Sequence, residues 1–84
     1  MDGPALKLLY LSLQRYAGWL DRDRASVLVR SHVEALGAAI DAGADTSGLL
    51  GSLDDTIKRL PGGGMRKMLR ATAGQVRRAL EEPR

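Results

Sequence analysis

The fold is decided by residues 65–82, which read MRKMLRATAGQVRRALEE. An α-helix turns by 100° per residue, so side chains three or four positions apart share one face. On this spacing one arc of about 140° collects apolar and small side chains, and a second arc of about 120° collects cations. The apolar arc consists of Met65, Met68, Leu69, Thr72, Ala73, Val76, Ala79 and Leu80. The segment therefore predicts one amphipathic helix packed against other helices.

The cationic arc of this helix is the strongest functional signal in the sequence. It consists of Arg66, Lys67, Arg70, Arg77 and Arg78, and residues 58–78 carry seven basic and no acidic side chains although the whole chain has a net charge of only +3. Cations grouped on one helix face are typical of proteins that bind nucleic-acid phosphates or other anions. Two other interpretations remain open: contact with an acidic protein surface, and a solvated face neutralised from within by Asp41, Asp54 or Asp55.

Three further stretches show helical spacing, and none shows the alternation with period two that marks a half-buried strand. The predicted helices span about 3–20, 23–42, 46–60 and 65–82, with a flexible glycine-rich link at 61–64. Asp23 and the group Asp45, Thr46 and Ser47 are good N-caps, and Gly43 and Pro61 end helices. The sequence therefore predicts a single all-α domain, a small bundle of four helices in which the C-terminal helix is amphipathic and basic.

The apolar stripes of the first three helices predict which side of each helix faces the core. Helix 1 should turn Leu6, Leu9, Tyr10, Leu13, Tyr16, Ala17 and Leu20 inward. Helix 2 should bury Leu28, His32, Ala35, Leu36, Ala39 and Ile40. Helix 3 should bury Leu49, Leu50, Leu53, Ile57 and Leu60.

Helix 1 carries apolar side chains outside its predicted inner face. Leu8, Leu11 and Trp19 lie on the side shared with Ser12 and Arg15. An apolar patch off the main face of a small domain often marks a contact with a partner or with a second copy. A first helix that touches two neighbours would bury both faces without any partner, and the sequence leaves these two interpretations open.

Several chemistries are disfavoured by composition. The chain has no cysteine, which excludes disulfides, thiolate metal sites and thiol nucleophiles. Its single histidine, His32, has only Leu28, Val29, Ala35 and Leu36 one turn away, and none of these can coordinate a metal. The carboxylates fall in turns and on polar faces rather than in opposed pairs. We therefore expect no catalytic residues, no metal, no small-molecule cofactor and no enzymatic activity.

No apolar run approaches the roughly 20 residues needed to cross a membrane, so a soluble, cytoplasmic protein without membrane contact is expected.

Residues 39–53 resemble the helix-turn-helix motif in the spacing of Ala39, Gly43 and Leu49. The pattern departs at Ser52, where a buried aliphatic residue is usual, and in its presumed reading helix, which carries two aspartates and no arginine before position 59.

The favoured function is a small non-catalytic interaction protein with an accessory, regulatory or assembly role. It would bind a protein partner or itself through the apolar face formed by Leu8, Leu11 and Trp19. The alternative is a nucleic-acid-binding protein that contacts phosphates through the basic face of helix 4.

Overall fold

The computed structural model describes residues 3–81. This part of the chain forms four α-helices without a strand: α1 (Gly3–Gly18), α2 (Arg24–Ala42), α3 (Ser47–Lys58) and α4 (Gly64–Glu81). The predicted all-α, four-helix fold class is confirmed. The predicted last residue of helix 4, Glu82, lies outside the described residues.

The four helices form a closed ring around one core. Each helix contacts the next one along the chain and α4 contacts α1, whereas within residues 3–81 no Cα atoms of the diagonal pairs α1 and α3 or α2 and α4 come within 8 Å of each other. Loops of four or five residues connect helices that pack side by side, so neighbouring helices run antiparallel. The two loops that join α1 to α2 and α3 to α4 therefore meet at one end of the bundle.

The ends of α2 are fixed by the residues that the sequence indicated. Asp23 accepts hydrogen bonds from the Ser26 backbone N–H at 3.3 Å and from the Ser26 hydroxyl at 2.6 Å. At the other end Gly43 has φ 69, and the N–H groups of Gly43 and Ala44 donate to the last carbonyls of the helix. A glycine in the left-handed region is the usual way to end a helix.

The core consists of buried side chains from all four helices: Leu13, Ala17, Val29, Val33, Leu36, Leu50, Leu53, Ile57, Leu60, Leu69, Ala73 and Val76. The predicted inner faces of α1 and α3 lie against or within this core. On α4 the inner face is also as predicted except at Met68, whose side chain is 38% exposed.

The predicted inner face of α2 is right in part, because Leu36 is buried and Ile40 packs, partly buried, against the core, but the buried side is centred further round the helix than predicted. The helix buries Ser26, Val29, Val33, Leu36 and Gly37, whereas Leu28 and Ala35 are exposed. His32 is half-buried at the edge of the core. On this side of α2, Gly37 faces Tyr10 of α1, so a residue without a side chain stands where the two helices come close.

Tyr10 of α1 makes that close contact. Its hydroxyl donates to the Val33 carbonyl at 3.1 Å, and its ring lies over Gly37, where a Cβ atom would come within 2.5 Å of the ring atom Cζ. Burial raises the pKa of Tyr10, and the negative charges of Glu34 and Asp41 raise it further. A glycine at position 37 is therefore required for the helices to approach this closely.

The two helical hairpins, α1 with α2 and α3 with α4, repeat each other with an offset of 40 residues. Their inner boundaries are Gly18 and Arg24 in the first hairpin and Lys58 and Gly64 in the second. The backbone hydrogen bonds of the two loops also correspond, for example Leu20 N–H to Ala17 O at 3.2 Å and Leu60 N–H to Ile57 O at 3.1 Å. Positions 13, 17, 29, 33 and 36 are buried, and so are positions 53, 57, 69, 73 and 76. The bundle is therefore an approximate internal duplication that relates positions 7–41 to positions 47–81, whereas residues 3–6 of α1 correspond to the loop 43–46.

Candidate interaction surfaces

The side of α1 that faces away from the core carries large apolar side chains around Arg15. Leu8 is 66% exposed, Leu11 is 46% exposed, and Trp19, just after the helix ends, is 62% exposed. The Trp19 ring packs at a tilt of 58° on Tyr16, with 5.6 Å between ring centroids, which holds the indole in place while leaving it accessible. These three residues, here called the α1 outer face, are not covered by a neighbouring helix.

Large apolar side chains do not occur at the equivalent positions of the second hairpin. The equivalents of Leu8, Leu11 and Trp19 in the second hairpin are Gly48, Gly51 and Arg59. The second hairpin packs in the same way with no apolar side chain at any of the three positions.

The charged side chains of α1 beside the α1 outer face are basic, whereas Asp21 and Asp23 lie beside Trp19 at its C-terminal end. Lys7 and Arg15 are exposed on α1, and residues 5–18 contain no carboxylate. The equivalent positions in α3 are Ser47 and Asp55, so this positive rim also belongs to the first hairpin alone.

The predicted cationic residues lie on one continuous helix, because α4 runs unbroken through Gly74. Lys67, Arg70 and Arg78 are exposed, whereas Arg66 and Arg77 are half-buried. Arg66 donates to the Leu60 carbonyl at 3.3 Å, so its guanidinium is partly engaged in holding the end of α3. These five residues are here called the α4 basic face.

Internal neutralisation of the α4 basic face is not seen. Within residues 3–81 the one ion pair joins Lys58 to Asp54 at 3.3 Å, and it lies within α3. Asp55 is exposed on α3, so the helix that would read DNA in a helix-turn-helix arrangement has an acidic surface.

Two equivalent arginines differ in what they bind. Arg30 of α2 donates to the carbonyls of Ala17, Leu20 and Asp21 at 3.5, 3.3 and 3.0 Å, which satisfies the end of α1. Within residues 3–81 its exposed equivalent Arg70 makes no such bond, and the corresponding Leu60 carbonyl accepts from Arg66. Arg70 is therefore not used by the fold in the way that Arg30 is.

A cleft of about 300 Å³ lies at the end of the bundle where the two loops meet. Trp19, Asp21 and Asp23 form one side of it, and residues 60–66 form the other. Hydrogen bonds from Ser26 hold the pKa of Asp23 below its ordinary value. This proximity of Trp19 and the triple glycine was not indicated by the sequence.

The described residues also bear on metal binding and on membrane spans. Among residues 3–81 no group of three or more histidine, aspartate or glutamate side chains is placed to hold a metal ion. None of the four described helices combines the length and apolar character needed to span a bilayer.

Comparison with known proteins gives no relative. No family model matches the chain, and neither a curated protein nor a solved structure does. No residue role is therefore transferred from another protein, and the two surfaces are interpreted from their own chemistry.

Sequence reasoning located both surfaces but missed the internal duplication that interprets them. The available signal was the recurrence, at an offset of 40 positions, of Leu9, Ser12, Leu13, Leu20, Arg30 and Ala39 as Leu49, Ser52, Leu53, Leu60, Arg70 and Ala79. These identities are hidden because most residues of the loops and outer faces differ between the two hairpins.

Proposed function

We propose that this protein acts by binding, as a small helical module with an accessory, regulatory or assembly role, and that the α1 outer face docks an acidic amphipathic helix of a partner protein. The observation that carries the proposal is the contrast between Leu8, Leu11 and Trp19 and their equivalents Gly48, Gly51 and Arg59. Large solvent-exposed apolar side chains favour a contact surface when the equivalent positions of the same bundle lack them.

The dimensions of the face suit a helix. Eleven residues separate Leu8 from Trp19, which is about 16 Å along the helix axis. Covering a leucine side chain that is now exposed contributes roughly 1.5–3 kcal/mol, and tryptophan is the residue type most often found at the centre of binding energy in interfaces. A partner helix of three turns would cover all three side chains.

The charge of the rim favours an acidic partner over a second copy of this chain. In a symmetric antiparallel pair centred on this face, Arg15 would lie near its own copy, whereas Lys7 would lie near the Trp19 end of the other chain. A partner whose apolar stripe is flanked by glutamates would meet opposite charge instead, which increases both specificity and association rate.

Trp19 allows a direct test because it is the only tryptophan of the chain. The protein is titrated with a synthetic helical peptide that carries leucines at i, i+3, i+7 and i+11 flanked by glutamates, and with a matched peptide in which every glutamate is lysine. We expect a saturable blue shift of Trp19 emission with the acidic peptide only. Equal binding of both peptides, or no binding of either, would contradict the proposal.

Two variants locate the contact. Leu8→Gln combined with Leu11→Gln should abolish peptide binding, since both side chains leave the apolar stripe. Val27→Gln is the matched control, because Val27 is 45% exposed on α2 and its removal should leave binding unchanged. Sedimentation equilibrium should show a monomer. If the wild type is a dimer and the Leu8→Gln/Leu11→Gln variant is a monomer, the α1 outer face binds a second copy of this chain, which would contradict the proposed partner helix.

A second candidate function, nucleic-acid binding by the α4 basic face, is favoured by the absence of ion pairs to its five cations within residues 3–81. Neutralising four or five phosphates would give a slope near −4 for log affinity against log salt with duplex DNA. Charge reversal at Arg70 and Arg77 should abolish this binding and leave the peptide titration unchanged. Affinity for DNA that does not depend on salt would contradict this candidate.

A further inference from the structure

A hollow of about 250 Å³ lies between α3 and α4, away from the α1 outer face. It is lined by Leu50, Asp54, Arg70, Ala73, Gly74 and Arg77. Leu50 and Ala73 are buried and form its floor, and the two arginines lie one turn before and one turn after Gly74 on the same helix. The hollow is open at Gly74, where a Cβ atom would meet nothing within 4 Å.

The first hairpin has an equivalent groove between α1 and α2 in which this chemistry is absent. That groove is lined by Gln14, Ala17, Gly18, Arg30, Val33 and Glu34. Its arginine, Arg30, is bound to three backbone carbonyls, and Glu34 stands at the position equivalent to Gly74. The groove of the first hairpin therefore holds one arginine already in use and one carboxylate.

Four differences separate the two grooves, and three of them make the second groove more basic. Gly74 replaces the carboxylate of Glu34, Arg77 stands where the first hairpin has Gly37, and Arg70 is not bound to backbone carbonyls as Arg30 is, while Arg66 donates to the Leu60 carbonyl. In the opposite direction, Asp54 replaces Gln14. Within residues 3–81 neither Arg70 nor Arg77 has an ion-pair partner, and neither donates a hydrogen bond to another described residue. Among the described residues the guanidinium groups of Arg70 and Arg77 therefore have no hydrogen-bond or ion-pair partner, and they flank an open space.

We propose that this hollow, here called the Arg70–Arg77 hollow, binds a single phosphoryl group, with the guanidinium groups of Arg70 and Arg77 donating to its oxygens. Guanidinium is the side chain best matched to phosphate because it presents paired N–H donors in one plane. The absence of a side chain at Gly74 lets the anion approach the helix backbone between the two arginines.

Asp54 is the one carboxylate that lines the hollow, and its charge is offset by Lys58 at 3.3 Å. Its residual repulsion should limit affinity, so Asp54→Asn should bind phosphate more tightly, by a factor of about 2 to 10 for one nearby like charge in a solvated site. This increase distinguishes a site at the hollow from binding elsewhere on α4.

The site differs from the two proposed functions in what it requires. It does not involve the α1 outer face, and it is tested with inorganic phosphate alone, so diffuse attraction of DNA to the whole α4 basic face does not produce it. Amide chemical shifts of the intact protein are followed by NMR while phosphate replaces chloride at constant ionic strength. We expect a saturable shift of the Gly74 amide and small, linear shifts elsewhere.

Charge-matched variants decide whether the hollow is the site. Arg70→Gln and Arg77→Gln should each weaken phosphate binding by roughly 10-fold or more, as expected for loss of a charge-assisted hydrogen bond. Arg78→Gln removes the same charge from an exposed position of the same helix and should change affinity by no more than about 2-fold. Equal losses in all three variants would overturn the proposal, and so would the lack of a saturable Gly74 shift.

Gly74→Glu tests the same idea from the first hairpin. It installs the residue that Glu34 provides in the equivalent groove, so the fold should be retained while phosphate binding is lost. Gly48→Glu is the control, since it makes the same change at an exposed position of α3 with nothing within 4 Å. Phosphate binding by Gly74→Glu with unchanged affinity would contradict a site at this hollow.

A short oligonucleotide with and without a 5′-terminal phosphate identifies the source of the phosphoryl group. Loss of the saturable Gly74 shift with the dephosphorylated strand assigns the hollow to a terminal phosphate ester. An equal shift with both strands assigns it to a backbone phosphate. No Gly74 shift with either strand, in a protein that binds inorganic phosphate there, assigns it to small phosphorylated ligands.

Discussion

Replacement of Gly37 by alanine should destabilise the protein, although an alanine normally stabilises the interior of a helix. The helix propensity of alanine would contribute about 1 kcal/mol in favour of the variant. Against this, the new methyl group would come within 2.5 Å of Cζ of Tyr10, so the ring must move and its hydroxyl must leave the Val33 carbonyl. Overpacking costs about 1–3 kcal/mol and the hydrogen bond about 1 kcal/mol. We expect a net loss of about 1–3 kcal/mol.

The assay is urea unfolding followed by circular dichroism, with Gly74→Ala as the matched control. Gly74 is also in a helix interior, but a Cβ there meets nothing within 4 Å, so this variant should gain about 0.5–1 kcal/mol. The opposite signs of two chemically identical changes test the position of the Tyr10 ring. Stabilisation of both variants to the same extent would refute the close packing of α1 on α2.

The same substitution at Gly37 can also be tested in a protein in which Tyr10 is replaced. Tyr10 is equivalent to Leu50, and in the second hairpin Leu50 lies beside Arg77, a residue that has a Cβ. In a Tyr10→Leu protein Gly37→Ala should therefore become neutral or stabilising, and the double-mutant cycle should show coupling of about 1–3 kcal/mol. Additive effects would contradict direct contact between positions 10 and 37.

Three further predictions concern the loops and helix ends. The pKa of Asp23 is lowered by its bonds to Ser26, so the stability advantage of the wild type over Asp23→Ala should be largest at neutral pH. It should shrink as the pH falls from about 3.9 through the lower folded pKa, and a gap in urea midpoints that is constant with pH would contradict this. Arg30→Gln should lower the free energy of unfolding by about 1–2 kcal/mol, since three backbone carbonyls lose their donor. Arg70→Gln should change the free energy of unfolding by less than about 0.5 kcal/mol. Equal effects of the two substitutions would contradict the different roles of the two arginines. Gly43→Ala should cost about 1 kcal/mol because φ at this position is 69, and a thermal midpoint unchanged from wild type would contradict the left-handed helix end.

The fold class was predictable because the apolar side chains of α1, α3 and α4 each form one dominant stripe. The stripe of α2 was misplaced because Leu28 and Ala35 make a second apolar side, and hydrophobicity alone does not show which side meets a neighbour. The side of α2 that faces α1 carries Gly37, because Tyr10 of α1 occupies the space beside it. A contact of this kind joins residues 27 positions apart and leaves no periodic signal.

The two surfaces were predictable as faces, but their relation to the fold was not. Whether Leu8 and Leu11 were covered depended on which helices flank α1, which the sequence leaves open. The Leu60 carbonyl accepts from Arg66 and not from Arg70, and the hollow depends on α3 and α4 packing around Gly74. These features come from tertiary structure and became interpretable through the equivalent residues of the first hairpin.

The most direct test of the central claim, that the α1 outer face belongs to a partner contact and not to the core, is the free energy of unfolding of the Leu8→Gln/Leu11→Gln variant in urea. Glutamine is nearly as good a helix former as leucine, so exposed positions should lose little. We predict a loss below about 1 kcal/mol for the two changes together. A loss of about 4 kcal/mol or more, as expected when two buried leucines are removed, would contradict the account.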